Sequence, residues 1–472
     1  MPAPAGKMAW RDAARLWAER WCLCWLGAWL LSPVVALAAT QSASPLLALV
    51  GGTVWTGTAA PPITDGVVLI DADRIVAVGP AATTPVPAEA VVVSTEGMTV
   101  LPGLMDLAVQ NWRLGHGQPA LADPLLRPLA ERVIMPWTLL ATTAAGITTV
   151  TEWGTPAGVA TELRERVAAR RLPGPRVRVA GPVLERQTRS MGDAAWRWPV
   201  HSLIDARDKV RRLLRLGVDQ VLIAAPEEWP ADELAVVVSE ARAAQRPVWA
   251  EVRRSAGIVL ALEAGVDGLL GLGLDTAPEW PPEVLLAVHA RAVAGHPVAW
   301  AVQLAPLVVD VRWRQNAEAL DDPQLYAGLP LLLAQDLRAS WKPYAQVPAM
   351  EFAALRLQVA GARVRALRAA GARIVLASGA GKPGLPQWLA LQVEAAALVR
   401  EAGFSPDEVL RAATVDAAWA SGLPEAWLAK PVVGQLVVGA AADVIAVRGA
   451  VLEDIGRLRE VAVVVVAGRR MK

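Results

Sequence analysis

Cysteine is nearly absent. The 472-residue chain has two, Cys22 and Cys24, both within its first forty residues. The remainder therefore has no disulfide and no thiolate to act as nucleophile or metal ligand. Histidine is scarce too: His116, His201, His289 and His296 are the only four, few imidazoles for a metal centre. Charge of one sign is missing, since 46 basic residues face 45 acidic ones, and composition offers no electrostatic footprint for a nucleic-acid partner. No G-x-S-x-G elbow and no phosphate-binding P-loop occurs, which argues against serine hydrolysis and nucleotide hydrolysis. Only six of the basic residues are lysines, and 20 tryptophans stand beside two phenylalanines and two tyrosines; a GC-rich coding sequence accounts for both biases.

The first forty residues differ from the rest. Lys7, Arg11, Arg15 and Arg20 precede an apolar run from Trp21 to Ala39 that ends in Ala36-Leu37-Ala38. Basic residues, an apolar run and a small-x-small end are the order of a secretory signal peptide, here residues 1–39. An uncleaved anchor is the alternative, because the run approaches spanning length; Pro33 and the small residues favour cleavage. The expectation is an exported, periplasmic protein with no membrane association after leader cleavage. Every later apolar run is broken by charge, Gly or Pro.

Two textures follow. From Leu46 to Val100, and again after residue 430, short β-branched runs alternate with Gly and Asp turns. Gly66–Ile70, Ile75–Gly79, Gln435–Val438, Asp443–Val447 and Val461–Val466 are such runs. Neither end has strands enough for a sheet of its own. Residues 46–100 plus 430–472 are therefore expected to form one composite β-sandwich domain. Between them, residues 101–429 alternate strand and helix. The strand candidates are Thr99–Val109, Ile147–Glu152, Arg176–Ala180, Gln220–Ala224, Val248–Val252, Gly268–Leu272, Val298–Leu304 and Arg373–Ala377. Eight strands alternating with helices predict an α/β fold, a (β/α)8 TIM barrel. The stretch from Pro306 to Pro348 reads as an insertion of loop and short helix. Active sites in this fold sit at the carboxyl ends of the strands.

The first of those ends carries the run Leu101-Pro102-Gly103-Leu104-Met105-Asp106-Leu107-Ala108-Val109-Gln110. An apolar strand, a Pro-Gly turn and an aspartate resemble the first barrel strand of the amidohydrolase superfamily, in which two metal-binding histidines follow the aspartate at the second and fourth positions. Ala145–Gly154, Gly174–Gly181, Thr414 with Ala417 and Ala418, and the tail Gly434–Val444 are also similar to its imidazolonepropionase-like and exported prolidase-like branch. The resemblance implies one or two divalent metals held on strands one, four, five, six and eight. It places those ligand positions at Ala108, Gln110, Leu222, Glu251, Gly271 and Gly379. Only Glu251 is a strong ligand there and Gln110 a weak one, whereas a catalytic metal needs about three protein ligands and an open position. The expectation is no metal and no cofactor.

Other chemistry would have to be rebuilt. Glu251, His116, His201, Glu152 and Glu185 fall at or after predicted strand ends and are the candidates for a carboxylate–imidazole site; solvated loop residues or arginine partners are the plainer reading. His289 and His296 read as structural. Trp112, Trp153, Trp196, Trp198 and Trp249 fall near strand ends, where indoles bind an aromatic or sugar ligand or pack a core. Three functions stay open: a non-catalytic binding or partner subunit, pairing with a catalytic amidohydrolase relative or with itself and taking a small-molecule ligand; a hydrolase acting on carbon–nitrogen bonds with a rebuilt site; and a retained scaffold.

Overall fold

The computed structural model describes residues 46–187, 196–273, 278–326, 328–344, 351–422 and 433–472. The expected leader, residues 1–39, lies outside this set.

β1 (Leu47–Val54) and β2 (Ile63–Asp71) are antiparallel, and β3 (Arg74–Pro80) returns across the two-residue turn Ala72-Asp73. Ala72 has φ 48°, the left-handed backbone that lets such a turn match the strand twist. β4 (Val91–Ser94) and β5 (Met98–Pro102) run parallel to β1. The stretch Thr99–Val109, expected as one strand, is two. Its division falls at Gly103, after which β6 (Leu104–Val109) belongs to a different sheet. A Cβ on Gly103 would lie 2.1 Å from Thr148 Oγ1, so the chain can make this crossing only where no side chain stands.

The middle of the chain is a mixed α/β array of parallel strands. β6, β7 (Ile147–Trp153) and β8 (Arg176–Gly181) form a three-stranded sheet. Pro182 follows, with no N–H to donate. Beyond it come β9 (Val183–Glu185) and β10 (Arg197–Pro199), two short strands additional to those expected. They join β11 (Val221–Ala224), β12 (Val248–Glu251), β13 (Gly268–Leu270), β14 (Ala299–Ala301) and β15 (Arg373–Val375) in a seven-stranded sheet. Helices Ala157–Ala168, Leu203–Arg215, Ala231–Ala243, Ser255–Ala264, Pro282–Val293 and Ala353–Ala369 separate the strands. The stretch expected as an insertion contains helices Ala305–Gln315 and Leu331–Tyr344. Among the described residues no helix is long and apolar enough to cross a membrane.

Backbone bonds join the two parallel sheets at both of their edges. Leu107 N donates to Leu376 O at 3.2 Å and Gln110 N to Ala380 O at 2.9 Å; at the other edge Asp219 N donates to Val179 O at 2.7 Å. Asp106 reinforces the first edge. Its carboxylate accepts from Ser378 N at 2.9 Å and Ala108 N at 3.3 Å, and from Ser378 Oγ. Burial pushes its pKa up to about 6 against the pull of those hydrogen bonds. Met105, Trp153, Leu222, Trp249, Leu270, Ala301 and Val375, from strands of both sheets, belong to one buried apolar cluster. Trp249 fits because Gly268 faces it: a Cβ there would stand 2.5 Å from the indole.

The chain's far end completes the first sheet. β16 (Val444–Arg448) pairs antiparallel with β5, Val444 opposite Pro102 and Arg448 opposite Met98; β17 (Val461–Val466) and β18 (Arg469–Arg470) follow. Asp443, just before β16, accepts from Arg176 Nε at 2.6 Å and so ties this sheet to β8. Gln435–Val438, expected as a strand, is not one. Gly434 and Gly439 bracket it at φ 82° and 87°, and its backbone is spent elsewhere, Leu436 N on Thr56 O and Gly439 N on Ile75 O, both at 2.8 Å.

Candidate functional site

The carboxyl ends of β6, β7, β11, β12, β13 and β15 surround a cavity of about 140 Å³. Strand alternation decides what it sees. Ala108 and Gln110 continue β6, Trp153 and Gly154 end β7, and Leu222 and Glu251 come from β11 and β12. On β13 the inward residues are Gly268 and Leu270. Leu270 lines the cavity; Gly271, one residue later, has left the strand with φ 93°. Gly271, expected at the strand-six position, is not among the residues that line the cavity. Val183, Gln303 and Gly379 complete the apolar and neutral part of the wall.

Three cations share that wall: Arg113, Arg197 and Lys382. Arg113 is pinned by Asp123 and by Gln110, whose Oε1 accepts from Nη1 at 2.8 Å. Arg197 donates from Nε to buried Glu185 at 2.7 Å. Its Nη2 is 3.8 Å from Glu251 Oε2, too long for a hydrogen bond. Lys382 donates from Nζ to Gln303 Oε1 at 2.7 Å. No described carboxylate makes an ion pair with it. Burial lowers the lysine's pKa, opposed by the more distant charges of Glu251 and Glu394. Glu394 itself accepts from Ala305 N at 2.6 Å at the start of helix Ala305–Gln315, and burial raises it to about 7.

Of the residues expected to carry chemistry, only Glu251 reaches this cavity. Glu185 lies behind Arg197. Glu152 is fully buried as a loop tie, accepting from Asn111 Nδ2 at 2.8 Å and Thr155 Oγ1 at 2.5 Å. Burial raises it to about 7. His116 Nδ1 accepts from Gln118 N at 3.0 Å, and its Nε2 stands 3.5 Å from Asp336; it does not line the cavity. His201 is exposed beside Asp205, and His289 and His296 are exposed as well. Trp112 and Trp196 pack at 4.3 Å and line a smaller adjoining space with Arg127. Trp198 lies under Arg212, and Trp249 is interior filling. Sequence reasoning missed Arg113, Arg197, Gln303 and Lys382, because beyond the inherited ligand positions it looked for carboxylates, imidazoles and indoles and not for cations or amides.

The Amidohydrolase family matches residues 99–471. The chain belongs to the amidohydrolase family. Among solved structures it is similar to a molinate hydrolase, at 21% identity and a TM-score of 0.71, covering 91% of this chain and 95% of that one. It is similar also to phenylurea hydrolase B, at 23% identity and a TM-score of 0.69 over 90% and 96%, and to a Xaa-Pro dipeptidase with bound methionine in its active site, at 20% and 0.67 over 90% and 99%. These likenesses speak to the fold. No curated relative matches the chain.

The divalent metal that this family implies does not fit the residues present. Ala108, Leu222, Leu270 and Gly379 have no side-chain lone pairs. Gln110 is engaged by Arg113, and the lone carboxylate, Glu251, shares the cavity with three cations. Among the described residues no group of three His, Cys, Asp or Glu side chains could hold a metal ion.

Proposed function

We propose that this chain is a non-catalytic member of the amidohydrolase family that works as a ligand-binding or partner subunit. The observation that carries this reading is the cavity's donor set: one carboxylate and three cations where hydrolysis needs a metal, its ligands and a base for the attacking water. Under it, the two joined parallel sheets are the family's (β/α)8 barrel. The sheet built from both chain ends is its composite β domain. Residues 1–39 are a leader that exports the protein to the periplasm. A partner there, a catalytic relative or a second copy, belongs to the same reading and rests on analogy with other families of mixed active and inactive members.

A second reading, hydrolysis of a carbon–nitrogen bond at a rebuilt site, has Glu251 in its favour, the one expected base that reaches the cavity. Elemental analysis of the purified, unchelated protein, run beside dipeptide and arylurea hydrolysis assays, separates the two. The non-catalytic reading expects far less than one equivalent of zinc, manganese or iron and no turnover. One equivalent of metal, lost together with turnover in Glu251→Ala, would establish the second.

A further inference from the structure

Gly379 and Lys382 line the same cavity. Gly379 occupies the strand-eight position, with φ 69°, and a Cβ there would lie 3.2 Å from Lys382 Cδ and 3.0 Å from Gln303 Nε2. A side chain at 379 would therefore crowd both the lysine stem and the Gln303 amide. Its ammonium ends on Gln303 Oε1, a neutral acceptor, at 2.7 Å. The other two cations are matched, Arg113 by Asp123 and Arg197 by Glu185, and Glu251 leans toward Arg197. Among the described residues, Lys382 is the positive charge in this cavity with no contacting counter-charge. An ammonium in partly enclosed, partly apolar surroundings is stabilised strongly by an anion that reaches it.

We propose that Lys382 replaces the family's divalent ion as the fixed positive charge of the cavity. The ligand is then a small monocarboxylate, its carboxylate on Lys382 and its apolar part against Leu222, Leu270 and Val183. The inference rests on the non-catalytic reading above. Size supports it, because about 140 Å³ is well below the roughly 300 Å³ at which pockets begin to hold drug-sized ligands. Leu222 and Leu270, which would be useless as metal ligands, become the wall that an alkyl group needs.

The test is calorimetric titration of the full mature protein with isobutyrate and with isobutyramide, which has nearly the same shape and no charge. Isobutyrate is expected to bind at one site and at least roughly tenfold more tightly than the amide, as a charge-assisted hydrogen bond requires. Lys382→Met should erase that preference and Lys382→Arg should restore part of it. Equal binding of acid and amide, no saturable binding of isobutyrate, or a preference that survives in Lys382→Met overturns the proposal. If near-ultraviolet circular dichroism shows Lys382→Met misfolded, the acid–amide comparison on the unaltered protein still decides. A metal-free, inactive protein without acid preference refutes this inference alone. Stoichiometric metal, with isobutyrate binding lost on chelation, refutes the non-catalytic reading as well.

Discussion

Replacing Glu152 by glutamine should change how the protein's stability depends on pH. Glu152 is buried, and burial moves its carboxyl from 4.5 to about 7, opposed by hydrogen bonds from Thr155 and Asn111. Below pH 4.5 the group is protonated in both states and contributes no pH dependence. From there to about pH 7 the unfolded chain ionises while the folded chain holds its proton, so stability falls as pH rises. Above pH 7 the full loss persists. At about 1.4 kcal/mol per decade of difference, the group removes about 3 kcal/mol between pH 4 and pH 8. Glutamine keeps the shape and the acceptor for Asn111, and it cannot ionise. In urea denaturation followed by far-ultraviolet circular dichroism, Glu152→Gln should therefore gain on the parent as pH rises. The difference between the two proteins should be about 3 kcal/mol more favourable to the variant at pH 8 than at pH 4. Parallel pH profiles would show that Glu152 is not a neutral, buried tie, and the account of the loop after β6 would fail with it.

Gly268→Ala should destabilise the protein by about 1–3 kcal/mol through overpacking, since the new Cβ would lie 2.5 Å from the Trp249 ring; a thermal melt no lower than the parent's would mean that the indole moves aside freely. Deleting residues 444–472 should unprotect residues 47–102, because β16 covers an edge of β5 over five paired positions; limited proteolysis that leaves that segment intact would refute the dependence.

Much of the fold was legible because periodicity and turn chemistry are local. Val461–Val466 could hardly be anything but a strand, whereas the ion pair of Asp443 with Arg176 joins residues too far apart in the chain for a local pattern to show. The division at Gly103 was not legible. Its cause is Thr148, a contact across 45 residues that no window of the sequence displays. The loop at Gln435–Val438 failed for a related reason: its composition is that of a strand, but Gly434 and Gly439 hold left-handed backbone and Thr56 and Ile75 take its hydrogen bonds.

The site was legible as a list of losses and not as a replacement. Reading position by position asks whether each inherited place still carries a donor, and Ala108, Leu222 and Gly379 answer in the negative one at a time. What such reading cannot see is that a glycine opens a volume that another residue enters. Lys382 stands three places beyond Gly379, in a Gly- and Pro-containing loop where a lysine reads as solvated. Its stem passes close to Gly379, where a Cβ would lie 3.2 Å from Cδ, and Gln303, two residues beyond β14, receives its ammonium. A side chain at 379 would crowd the lysine stem. A cavity with an aspartate at 379 as well as the lysine would bury an ion pair. This one instead leaves the charge facing inward, where a ligand can meet it.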